Sequence, residues 1–382
     1  MQMDPEAPVA ILGGGPTGLT CALMLARAGR ASVVFDAQAA RSAQRDRRLL
    51  ALGRGSWEIL RPLLGTLPQR APITDVYVSS AGEFGATHIG AGDLGGDELG
   101  ATVFYGDLVT ALEDAVADAR AIAQRRPQRV VDLQQAPDRV RVLCADAEPF
   151  EAPLAINAEG WSGANSAAAQ SDDTALAVGL VGDVTLAGVA AGAAFERFTR
   201  DGPLALLPRP GSDAMRSLVW CMPRAVAPSR LGQSPEALRA DLQQAIGGRI
   251  GKVVAVGSLH SHPLHEKMRA EVLAHRCVAI GNAAQTLHPV AGQGFNLALR
   301  DCSSLIDRLL VHRGDVSAAL ADYARRRRAD RATIAAITHW LPQIFATRFA
   351  PVAMARTLGL AALDLAPPLR NQLAQLLMFG VR

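Results

Sequence analysis

A glycine triplet constrains this chain more than any other feature. Gly13-x-Gly15-x-x-Gly18 lies directly between a short apolar run, Val9-Ala10-Ile11-Leu12, and a stretch to Arg27 that places Cys21, Ala22, Leu25 and Ala26 at helical spacing. Each glycine has its own task in such a strand-turn-helix. Gly13 permits the tight turn, Gly15 lets the backbone approach a pyrophosphate, and Gly18 allows the helix to close on the strand. The free amides at the helix start then face phosphate oxygens. A second apolar run, Ser32-Val33-Val34-Phe35, ends at Asp36, about twenty residues on, where an acid accepts ribose hydroxyls. The βαβ opening selects a dinucleotide without separating FAD from NAD.

At 382 residues the chain has room for two or three domains, and 49% hydrophobic against 20% charged residues is the balance of a packed globular protein. A net charge of +3 gives no field for nucleic acid, and the basic run Arg325 to Arg328 reads as a solvated helix face. Five scattered cysteines without a CxxC pair suit reduced, buried thiols in a cytoplasmic protein. Asp4 and Glu6 stand where a signal peptide carries positive charge, and no window of about 18 apolar residues occurs, so membrane contact is expected to be peripheral. No metal-ligand cluster is visible.

From about 175 to 265 short β-prone stretches, among them Phe195–Thr199, Leu204–Leu207 and Leu218–Cys221, alternate with Gly, Pro, Asp and Ser, which predicts an antiparallel sheet. Arg276 to Gly281 then reads as a buried strand, followed by a glycine-rich turn and a helix with Leu299, Cys302, Leu305, Ile306 and Leu309 on one face. Beyond about 330 the pattern is helical with breaks at Pro342, Pro351 and Pro367-Pro368, and the apolar tail, with Leu373, Leu376, Leu377, Met378 and Phe379, needs a cover. The expected organisation is α/β. A Rossmann-like dinucleotide-binding domain is assembled from 1–75, 105–174 and 266–330; a substrate domain comes from 76–104 and an antiparallel sheet over 175–265; a helical region occupies 331–382.

The second glycine cluster separates the cofactors. In the segment from Gly281-Asn282 through His288-Pro289 to Gly292-Gln293-Gly294-Phe295-Asn296, a second helix start is prepared, and the amides of Phe295 and Asn296 would stabilise the electron-rich edge of a reduced flavin by roughly 0.3–2 kcal/mol. Gly281 to Asp301 resembles the flavin-binding signature of the ubiquinone-pathway hydroxylases, a branch of the para-hydroxybenzoate hydroxylase fold. Asp46-x-Arg48-x-x-Ala51-Leu52 resembles that family's Asp-x-Arg segment, whose arginine contacts the flavin. Phe195-Glu196-Arg197-Phe198-Thr199, Gly202-Pro203-Leu204-Ala205-x-Leu207-Pro208, Ser217-Leu218-Val219-Trp220-Cys221 and Asn282 resemble its 2-polyprenyl-6-methoxyphenol hydroxylase branch.

The resemblance implies an FAD-dependent monooxygenase that hydroxylates a polyprenylated phenol in ubiquinone biosynthesis through a flavin hydroperoxide. Dioxygen is the co-substrate, NAD(P)H a transient electron donor without a Rossmann site of its own, and the setting is a cytoplasmic, peripherally membrane-bound enzyme, within a biosynthetic complex in one version. Its cofactor residues would be Gly13, Gly15, Gly18, Asp36, Arg48, Glu159, Gly160, Gly281, Asn282, Gly292, Gly294, Phe295 and Asn296. His288 and Pro289 are the candidates for catalysis, Pro289 through its carbonyl. Two departures stand out: the family's Asp-Gly pair is Glu159-Gly160 before Trp161, and the Gln-Arg pair expected near position 110 reads as Thr110-Ala111, which predicts a loosely held flavin. A smaller soluble phenol, or a flavin-poor scaffold role, remains open as an alternative.

Overall fold

The computed structural model describes residues 7–83, 85–160, 175–287, 292–347, 359 and 365–380. Its first turn shows what the glycines do. Strand β1 (Val9–Leu12), helix α1 (Pro16–Arg27) and strand β2 (Ser32–Phe35) form the βαβ opening, with β1 and β2 parallel. Gly13 turns at φ +102°, a backbone region that residues with a Cβ rarely adopt. A Cβ on Gly18 would lie 1.9 Å from the Gly13 carbonyl oxygen, so α1 reaches β1 only without one.

The chain continues through β3 (Leu49–Gly53), α2 (Arg54–Leu60), β4 (Arg70–Ile73), β5 (Asp75–Ser80), β6 (Ala86–Gly90), β7 (Gly100–Phe104), α3 (Tyr105–Asp118) and β8 (Ile122–Arg125). After β9 (Val130–Gln135), β10 (Val140–Cys144) and β11 (Ala147–Ala152), which form a three-stranded antiparallel sheet, β12 (Ala155–Asn157) returns beside β1. A long antiparallel section follows, with β13 (Ala177–Ala187), β14 (Ala193–Phe198), β15 (Pro203–Arg209), β16 (Ser212–Pro223), α4 (Ala227–Leu231), α5 (Pro235–Ile246), β17 (Lys252–Val256) and β18 (His260–Leu264). The final part holds β19 (Lys267–Met268), β20 (Leu273–Ala274), β21 (Cys277–Ala279), β22 (Gln285–Thr286), α6 (Gln293–Val311), α7 (Val316–Ala346) and α8 (Pro367–Phe379).

Two sheets dominate. The first runs β20-β21-β12-β1-β2-β8 and is parallel except for its β20–β21 edge. Its strands are short, and the four inner ones, β21, β12, β1 and β2, are buried throughout, as expected for a sheet covered on both faces, while the edges β20 and β8 are largely exposed. The second, eight-stranded, runs β17-β13-β16-β15-β14-β5-β6, with β18 also on β13. The three predicted strand segments all lie in it. Strands β5 and β6 reach this sheet from far upstream, β5 pairing in parallel with β14.

Three expectations need correction. The 175–265 section is not strand alone: Ser234 accepts from the Ala237 amide at 3.3 Å, Pro235 opens the first turn and Glu236 follows, and these helix-start signals make α5. The helix does not break at residue 342, since α7 runs on to Ala346; a missing N–H removes one bond close to a helix end that is already short of partners. The Arg325–Arg328 run is not uniformly solvated. Arg325 and Arg326, themselves exposed, pair with the buried Asp322, but Arg327 turns inward to Asp301 at 2.8 Å and to Asp330. Helical spacing sends one residue of the run to the packed face.

Candidate functional site

In an open parallel sheet, ligands bind beyond the carboxyl ends of the strands. The chain places a different group at each such end. Gly13 follows β1, Asp36 follows β2, Arg126 follows β8, Glu159 and Gly160 follow β12, and Gly281 and Asn282 follow β21. All of them except Gly281 line one cavity of about 1150 Å³.

Two helix starts open on the same space. Gly15 caps α1 and Gly292, at φ +59°, caps α6; neither helix has a side-chain cap or an acid in its first turn. First-turn amides have no intrahelical partner, so both ends present positive dipoles to the cavity. Gly15, whose hypothetical Cβ would meet only the Tyr105 hydroxyl at 3.6 Å, leaves backbone open to a ligand. Helix α6 starts at Gln293, so Gly294 and Phe295 lie in its first turn on the cavity wall. A phosphate-bearing, electron-rich cofactor fits this arrangement.

The remaining candidates differ in how free they are. The Asp36 carboxylate accepts from the Gly14 amide at 2.6 Å and from the Gln38 amide at 2.7 Å, which fixes it beside the glycine turn. Arg48 is folded onto Asp46 at 2.6 Å with its guanidinium 4.6 Å from the Tyr105 ring centre, at the cavity edge. Glu159 sits against the Gly13 turn, where a Cβ on Gly13 would come within 2.8 Å of its amide nitrogen. Gly281 holds φ +57° and gives its amide to Asp301 at 3.1 Å. Asn296 uses its whole side chain on the protein: Oδ1 accepts from Gly53 N–H and Ser56 Oγ, and Nδ2 donates to the Ala51 and Gly292 carbonyls. Only its main chain is left for a ligand. His288, Pro289 and Trp161 lie outside the described residues.

The structure removes one of the two grounds for expecting a loosely held flavin, the Thr110-Ala111 pair, while Glu159 does line the cavity. Helix α3 opens at Tyr105, not near 110, because Gly106 lets the chain pass the Ala43 and Gln44 carbonyls, where a Cβ would lie 2.7 and 2.5 Å away. Thr110 is interior to the helix, donating to the Gly106 carbonyl at 2.8 Å, and Ala111 packs against the core. Neither lines the cavity. A cation comes instead from Arg126, which sequence reasoning missed. Its guanidinium lies against Gly14, where a Cβ would come within 2.8 Å, and pairs with buried Glu113 at 2.8 Å.

A family model described as FAD binding domain matches residues 6–337. The chain is similar to ubiquinone hydroxylase UbiL of Rhodospirillum rubrum, 32% identical over 96% of this chain and 88% of the relative. It belongs to the FAD-dependent ubiquinone-pathway hydroxylase family. A second relative is the 3-demethoxyubiquinol 3-hydroxylase of Escherichia coli, 28% identical over 95% of this chain and 96% of its own. Among solved structures, PqsL of Pseudomonas aeruginosa in complex with 2-aminobenzoylacetate matches with a TM-score of 0.75 at 21% identity, covering 91% of this chain and 99% of that one. HpxO of Klebsiella pneumoniae, complexed with FAD, matches at 0.69 and 17% identity over 93% and 94%. The enzyme is an FAD-dependent monooxygenase, which displaces the scaffold alternative.

If Arg126 steadies the FAD at the glycine loop, Arg126→Ala should weaken FAD binding roughly 10- to 100-fold, the worth of a charge-assisted hydrogen bond, while Arg126→Lys retains most of it. Equilibrium dialysis of FAD reads this directly, and unchanged retention in Arg126→Ala would remove the assignment.

Proposed function

We propose that this enzyme hydroxylates the aromatic ring of a polyprenylated phenol, of the 2-polyprenyl-6-methoxyphenol type, in ubiquinone biosynthesis. FAD, reduced by a transiently bound NAD(P)H, supplies the oxygen-transferring chemistry with dioxygen. The carrying observation is that the cavity does not end at the glycine loops. It continues onto an aliphatic wall made by Val76 and Val78 of β5, Ala205 and Leu207 of β15 and Val219 of β16. A hydroxylated ring with a hydrocarbon tail suits such a wall, and water does not. The names of the two relatives, both acting on ubiquinone-type compounds, support the substrate class.

On this reading the segments 1–75, 105–174 and 266–330 hold the cofactor, 76–104 with 175–265 holds the ring, and 331–382 is the helical C-terminal region, from which Leu341, Leu373 and Leu377 line the cavity. Helix α8 is docked on the body: a Cβ on Gly55 would strike the Phe379 ring at 2.7 Å, Arg370 binds Asp93 at 3.1 Å, and Ala374 is buried beside Ile73 and Ile89. Trp340 and Ile344 on α7, Leu369 on α8 and Leu365 just before it stay exposed, and Ile344 also lines the cavity. Apolar surface reaching the cavity opening supports entry of the substrate from a lipid surface. No described helix is long and apolar enough to cross a membrane.

A deletion strain should accumulate a prenylated, incompletely hydroxylated phenol in its lipid extract. An unchanged quinone pool, with loss of a water-soluble phenol's turnover instead, would contradict the proposal. Replacing Trp340 and Leu369 together by Ser should lower binding to anionic liposomes severalfold without changing Tm, and equal flotation of variant and parent would remove the lipid contact.

A further inference from the structure

The sheet wall of the cavity carries one ionisable side chain among the described residues, and no role assigned above uses it. On β14, Ala194, Glu196 and Phe198 share the face that lines the cavity, while Arg197 on the opposite face donates to Ser79 Oγ at 3.0 Å and to the Ala245 carbonyl at 2.8 Å. Glu196 stands beside Val78 on one neighbouring strand and Ala205 on the other, and Ala205 stands beside Val219. A carboxyl therefore interrupts an aliphatic row. Two strand spacings away, roughly 10 Å, Thr87 stands beside Val78 in the same row, and its buried hydroxyl has no hydrogen-bond partner.

No described group donates a hydrogen bond to Glu196 or offsets its burial with a positive charge. Buried polar groups are normally bonded, and a leucine at this point would cost the sheet less. An unpartnered carboxyl facing a cavity is the arrangement of a group that meets its partner on the ligand. Burial alone pushes the carboxyl up to about 7. The other titratable groups nearby do not hold it ionised. Cys221 on β16 is itself pushed up by burial and by Glu196, and Arg370 on α8 is bound to Asp93. The neighbours lining the cavity from α7, Leu341, Ile344 and Phe345, are apolar, and the Phe345 and Phe198 ring centres lie 3.7 Å apart.

We infer that Glu196 accepts the hydroxyl proton of the phenol bound against this wall, an assignment that rests on the phenol reading above. The phenol O–H bond breaks, the proton joins a Glu196 carboxylate oxygen, and the electron pair stays on the phenolate oxygen. That pair enriches the ring carbons ortho and para to it, where an electrophilic oxygen adds. When the hydroxylated ring recovers its aromaticity, the carboxylic acid returns the proton to the ring oxygen, and the proton leaving the ring carbon passes to water. A base that titrates near neutral pH is well matched to this task.

The test uses FAD-loaded protein with 2-methoxy-6-prenylphenol and its methyl ether, which cannot donate. Wild type should bind the phenol roughly tenfold or more tightly than the ether above neutral pH, and the preference should weaken as pH falls through about 7, where the carboxylate becomes a neutral acid. Glu196→Gln should lose that pH dependence and lower kcat by about 10²–10⁴ at unchanged FAD content, and its kcat should no longer rise with pH through neutrality. A Glu196→Gln enzyme with wild-type kcat and pH profile would overturn the assignment. So would equal binding of phenol and ether by wild type at every pH, a comparison that needs no variant to fold. Failure of both probes to bind would instead remove the phenol reading, and this assignment with it.

Discussion

Asp301 is fully enclosed, and its carboxylate accepts from the Gly281 amide at 3.1 Å, from Gln285 Nε2 at 2.9 Å and from Arg327 Nε at 2.8 Å. Those three partners belong to the turn after β21, to β22 and to α7, so one charge on α6 joins four elements. Removing one member of such a buried pair typically costs about 3–5 kcal/mol, because the other is left uncompensated. Asn296, one turn before Asp301 on the same helix, ties β3 and α2 to α6 through all its hydrogen-bonding positions. The start of α6 is thus held from both sides, and its uncapped amides keep a fixed aim into the cavity. The cofactor end of the enzyme depends on that aim.

The cavity then has two chemical halves. Glycine turns, helix starts, Asp36, Arg126 and Glu159 make the polar half at the carboxyl ends of the parallel strands. The aliphatic face of the second sheet makes the other, with α7 and α8 packed over it. Strands β5 and β6, which leave the cofactor region and pair beyond β14, carry part of that wall across. An FAD-dependent hydroxylase needs such an arrangement, since its ring substrate must lie dry and close to a cofactor that binds through phosphates.

Much of this was legible in the residues because its causes are local. Gly13 and Gly18 are demanded by one turn and one close contact, and Gly281 and Gly292 by left-handed backbone, so glycine spacing alone located both helix starts. Short β-prone stretches set between Gly, Pro, Asp and Ser disclosed the antiparallel sheet. What was missed depends on pairing between distant segments. Arg126 lies against the Gly14 turn only because β8 lies beside β2. Arg327 is buried only because Asp301 stands 26 positions away in sequence and 2.8 Å away in space. The opening of α3 was misread because Gly106 was not recognised as a close-approach glycine against Ala43 and Gln44. For Glu196 a local signal existed: between Ala194 and Phe198 on one face of a strand, a lone acid breaks an apolar alternation.

The central claim is that cofactor and aromatic ring share one continuous cavity. Titrating the FAD-loaded enzyme with a prenylated methoxyphenol while recording the flavin's visible absorption tests it most directly. A saturable shift of the flavin bands with one phenol per flavin is the predicted result. Tight phenol binding that leaves the flavin spectrum unmoved would place the ring elsewhere and contradict the claim.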